Sequence, residues 1–148
     1  MLQVIQFITL FLLLLVTGVF WGLWFSLSRS YHVFSVQELQ HIARTIISNL
    51  AVPMRFISVS CLLLLSLSAW FSSNREFYFT IVSMAFILMA LLITVVIEVP
   101  INNQVIAWTE FTVPSDWEGI RNRWQFFNVI RTFAALAGFG FFAAAILF

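Results

Sequence analysis

Charge is scarce in this chain of 148 residues: Asp, Glu, Lys and Arg make up 9% of it, and none of the seven basic residues is a lysine. A single cysteine, Cys61, rules out a disulfide within the chain. The only histidines, His32 and His41, stand in one connection, so they cannot clamp a haem from facing helices. Zinc or copper would want three or four close ligands, and a di-iron bundle would want paired Glu-x-x-His motifs. Neither set exists here, so no metal and no cofactor are expected. Five glycines and three prolines, scattered, form no phosphate loop, nucleophile elbow or linker, which leaves one domain over residues 1–148. A net charge of +1 without a basic patch excludes nucleic acid as a partner.

What fills the chain instead is apolar. Hydrophobic residues account for 62%, and the mean hydropathy is +1.03, outside the range of soluble domains. About 20 residues of helix cross a hydrocarbon core, and four runs reach or approach that length: 2–27, 46–71, 77–99 and 129–148. In lipid every backbone polar group must be satisfied within the segment. The fold class expected is therefore all-α, an antiparallel four-transmembrane-helix bundle in the lipid bilayer, multi-pass in a bacterial inner membrane. The first run lacks a basic flank and a cleavage pattern, so it reads as a retained span. Arg29, Arg44, Arg55, Arg121, Arg123 and Arg131 border the two long connections and only Arg75 borders the short one. By the positive-inside rule the long connections face the cytoplasm and both termini face outward.

Local signals refine the helices. "SVQE" and "SDWE" put Ser35 with Glu38, and Ser115 with Glu118, in capping-box register. Gly18, Gly22 and Ser26 on the first helix, and Ala134 with Gly138 on the last, form small-residue grooves that let another backbone approach. Packing inside the bundle is the simpler use. A homo-oligomer through Gly18 and Gly22 is the other.

The polar residues fall into stripes. At about 100° per residue, His41, Arg44, Ser48 and Arg55 share one face of the second helix, and Trp117, Arg121, Trp124, Asn128 and Arg131 one face of the fourth. Thr94, Glu98 and Asn102 recur every four residues on the third. Charges in hydrocarbon turn inward and pair, so Glu98 is expected to meet Arg55 or Arg131. Pro53 and Pro100 each free a carbonyl one turn back, which suits a polar cavity wall. Arg29, Arg123, Asn103 and Trp108 read as interfacial anchors.

The stretch "TVVIEVPINNQVIAW", followed by "PSDWEGIRNRWQFFNVIRT", resembles the C-terminal signature of the anthrone oxygenase-like family of small four-span membrane proteins, catalogued as a domain of unknown function. The matching positions are Thr94, Pro100, Asn102 or Asn103, Trp117, Arg121, Trp124, Asn128, Arg131 and Thr132. The resemblance implies oxidation of an anthrone to an anthraquinone by O₂ without a bound metal or flavin. It also implies a histidine where this chain has Asn128, and asparagine cannot act as a base near neutral pH.

Two functions follow as expectations. In the first the protein is a cofactor-independent oxygenase or oxidoreductase acting on an aromatic or quinol-like lipophile. Glu98 is then the base, Arg131 and Arg55 stabilise the enolate, and Asn102, Arg121, Trp124, Asn128, His41 and Arg44 help bind. In the second it is a non-enzymatic membrane protein that binds an amphiphile or braces a membrane complex, and Glu98 with its arginines is a helix clamp.

Overall fold

The structure, a computed structural model, describes residues 1–148, almost wholly helical and without strands. Helix α1 spans Leu2–Ser26, α2 Val36–Phe71, α3 Asn74–Ile93, α4 Val99–Ala107 and α5 Trp117–Leu147. A 3₁₀ turn, Ser28–Val33, joins α1 to α2, and a π turn, Thr94–Glu98, welds α3 to α4. Counting α3, the π turn and α4 as one rod, four apolar helices are long enough to cross a membrane. They form a helical bundle in which α5 packs against α3 and α1, and α2 against α1 and α3.

Exposure is inverted relative to a soluble protein. Phe7, Phe11, Phe56, Leu63, Leu92 and Val96 point outward, where acyl chains are as apolar as they are. Association therefore depends on close packing and interhelical hydrogen bonds. Gly138 shows this directly: its carbonyl accepts from Ser83 Oγ at 2.7 Å. A Cβ added there would lie 2.8 Å from Ile87 Cδ1 and 3.2 Å from the Ser83 carbonyl. Gly18 and Gly22 differ, since an added Cβ would meet nothing within 4 Å. Their groove faces out of the bundle. Gly138→Ala is expected to lose about 1 to 3 kcal/mol by overpacking the α3–α5 crossing. Gly22→Ala should stay within about 0.5 kcal/mol, and thermal unfolding in detergent separates the two.

Helix ends follow the sequence in one case and depart from it in the other. Ser35 and Glu38 form the reciprocal capping box at the start of α2. At α5 the expected Ser115–Glu118 box is absent: Asp116 is the cap residue, without a side-chain cap bond. Pro114 explains the shift, because its carbonyl accepts from the Trp117 N–H at 3.2 Å and closes a turn just before the helix.

The core has two parts. Leu13, Val16, Phe20, Leu65, Ile87 and Phe142 anchor one apolar cluster, which also takes in Cys61 as a small buried filler. Leu39, Ala43, Ile101, Val105, Trp108 and Trp124 belong to the other, near the two long connections. Polar side chains gather between them.

Candidate functional site

Pro100 has no N–H, and its ring crowds the carbonyl one turn earlier. The chain answers with the π turn, whose closing bond runs from the Val99 N–H to the Thr94 carbonyl, one residue wider than an α turn. On a regular helix a four-residue step drifts by about 40°. The wide turn takes up that drift, so Thr94, Glu98 and Asn102 all reach one cavity. The expected stripe on this helix is a wall.

That cavity, about 150 Å³, lies between α1, α2, the π turn with α4, and α5. Phe20, Leu50 and Met54 supply apolar lining, and Glu98, Asn128 and Arg131 supply polar groups. Glu98 is 1% exposed and Arg131 8%. Arg131 Nη1 stands 3.8 Å from Glu98 Oε2, longer than the roughly 2.8 Å of a charge-assisted hydrogen bond. The pair is a charge contact without a tight fork. Arg131 Nη2 instead donates to Asn128 Oδ1 at 2.5 Å, and its guanidinium lies 4.5 Å from the centre of the Phe20 ring.

Satisfaction is incomplete here. Glu98 Oε1, Asn102 Oδ1 and Arg131 Nε are buried without a hydrogen-bond partner. Buried polar atoms are rarely left this way. Two acceptors and a donor grouped at one apolar-walled cavity are the arrangement expected of a site that completes its hydrogen bonds with a ligand.

The sequence-derived residues divide largely by helix, with Arg121 on α5 the exception. Glu98, Asn102, Trp124, Asn128 and Arg131 line the cavity. Arg55 does not; it is on the outward face of α2, and the ion pair forms with Arg131 alone. The stripe of His41, Arg44, Ser48 and Arg55 stays outside the cavity, because α2 turns Ala43, Ile47, Leu50 and Met54 toward it, a face about 115° further round the helix by the same count. Arg44 acts on α4 instead, where its Nη2 donates to the Ile106 carbonyl at 3.0 Å, while Gln40 Nε2 reaches the Val105 and Trp108 carbonyls. Together they satisfy orphan carbonyls at the end of that helix. His41 lies on the exposed side of α2, and Arg121 packs over the Trp117 ring at 5.0 Å. Asn103, read as an anchor, borders the cavity.

Two residues of the 3₁₀ turn escape a reading by helical period. Ser28, fully buried, accepts a hydrogen bond from Asn128 Nδ2. Tyr31, 2% exposed, lines the cavity and stacks on Trp124 with ring centres 5.1 Å apart and planes at 16°. One face of Trp124 is thus covered by the protein itself. A connection carries no periodic pattern to flag such residues. The one signal is compositional: in a chain with 18 Phe and two Tyr, a phenolic hydroxyl is an exception.

Comparison with known proteins gives one positive result. The family model described as anthrone oxygenase matches residues 41–141. No curated protein and no solved structure matches.

Proposed function

Since the chain belongs to the anthrone oxygenase family, whose model covers about two thirds of it, we propose that its cavity binds an aromatic or quinol-like lipophile and oxidises it with O₂ without a resident cofactor. The observation that carries this is the free Glu98 Oε1, buried in an apolar-walled cavity beside a guanidinium. A carboxylate so placed is a base. On an anthrone it takes a proton from the ring methylene opposite the carbonyl, and the electron pair moves onto the carbonyl oxygen. Arg131 offers the nearby positive charge that favours this anion. The carbanion then bonds O₂, the peroxide anion takes back the proton held by Glu98, and the hydroperoxide loses water to leave the second quinone carbonyl.

The setting favours a lipid-soluble ligand. We place the bundle in a bacterial inner membrane, with the long connections on the cytoplasmic side that the arginines favour. The rival reading is a non-enzymatic binder or brace, and Asn128, which offers no base, is the residue that favours it. The deciding experiment incubates detergent-purified protein with anthrone under air and follows anthraquinone formation beside a protein-free control. Native mass spectrometry of the same preparation looks for a retained aromatic ligand. Conversion above control supports the oxygenase. No conversion, with no aromatic adduct, rejects it.

A further inference from the structure

Hydrogen bonds beside the cavity run in one direction, and arginine sets it. A guanidinium can only donate, so the Asn128 atom facing Arg131 Nη2 is its carbonyl oxygen, and the amide N–H₂ is turned to Ser28. Ser28 Oγ therefore accepts, and its own hydrogen is left to give. Ser26, Ser66 and Ser72 give theirs to carbonyls one turn back in their helices, a use Ser28 does not make in its 3₁₀ turn. Tyr31 stands three residues on in the same 3₁₀ turn. A phenol has one hydrogen to donate, and Tyr31 borders the cavity that holds the free Glu98 Oε1. Each bond in such a series polarises the next, and a cation stands at its head.

We propose that Tyr31 is a further catalytic residue, whose hydroxyl donates to the oxygen of the bound aromatic ligand and holds it as it becomes an anion. Ser28 and Asn128 are positioning residues, since their hydrogen bond ties the 3₁₀ turn that carries Tyr31 to α5. The inference rests on the reading of the cavity as the site of an enolisable or phenolic lipophile. In the step itself the ligand's O–H or C–H bond breaks, its proton passes to Glu98 Oε1, and the electron pair settles on the ligand oxygen. Tyr31 keeps its own proton and shares it in a hydrogen bond. Nothing is oxidised at this stage. Rigidity supports the role, since the Tyr31 ring is fixed against Trp124 and need not reorganise as charge develops.

The test uses 4-nitrophenol, whose phenolate absorbs visible light that the neutral phenol does not. It is titrated into the full-length protein in detergent, at a pH where the free probe is neutral. Wild type is expected to bind it with a phenolate-like spectrum. Tyr31→Phe, which keeps the ring on Trp124, should bind about 10- to 100-fold more weakly and return the spectrum to the neutral form. Ser28→Ala should shift both in the same direction by less. Unchanged affinity and spectrum in Tyr31→Phe would overturn the role of Tyr31 while leaving the cavity reading standing. A wild type that binds no probe overturns both. Should Tyr31→Phe not fold, Ser28→Ala decides: an unaltered spectrum counts against the proposal.

Discussion

Glu98→Gln is expected to abolish turnover while leaving the bundle folded. Glutamine has the size of glutamate, and the carboxylate it replaces makes no short hydrogen bond: its one charge contact is 3.8 Å long and Oε1 has no partner. Arg131 keeps its stronger tie, the 2.5 Å bond to Asn128 Oδ1. The melting temperature in detergent should therefore move by only a few degrees, a loss on the order of 1 kcal/mol. Catalysis has no such reserve. A carboxamide cannot take up a proton, so anthraquinone formation should fall by about 10² to 10⁴, the usual worth of a general base. A sharp melting loss, with no anthrone oxidation in either protein, would identify Glu98 as a clamp and end the enzyme reading.

Arg131→Met should have the largest effect on stability. Its guanidinium is anchored three ways, by Asn128, by Glu98 and over the Phe20 ring. Methionine fills much of the volume but leaves a carboxylate buried without its cation and the Asn128 carbonyl without its donor. Glu98 has no other charged partner, whereas Arg131 in the reverse variant keeps Asn128 and the Phe20 ring, so this variant should bear the full cost of a broken buried pair, about 3 to 5 kcal/mol, a drop on the order of 10 °C for a chain of this size. The double variant Glu98→Gln with Arg131→Met discards both charges and should regain part of that loss. A single variant that melts like wild type would show that the pair is solvated. Equal losses in the single and double variants would show that Asn128, and not Glu98, is what Arg131 holds.

Much of this molecule is written in local sequence. Four runs of apolar residues in a chain with 9% charge have one stable arrangement in lipid, because a helix satisfies its own backbone. The capping box at Ser35 needs four consecutive residues and nothing else. Glu98 stands out because it is the one acid within the apolar runs, and the family is legible in the spacing from Thr94 to Thr132.

Tertiary structure decided which faces look at each other. A period of 3.6 residues groups side chains on a face but carries no information on which way that face is turned. Arg55 and Arg131 are equal candidates on that ground, yet α2 points its polar stripe outward and its apolar side at the cavity. Gly18 and Gly138 repeat the lesson: both belong to small-residue grooves, and only Gly138 lies at a helix crossing. Ser28 and Tyr31 reach the site because a 3₁₀ turn brings the α1–α2 connection against α5. Asn128 and Ser28 are joined across 100 residues of chain, and a contact of that separation is set by how whole helices pack, which no local pattern encodes.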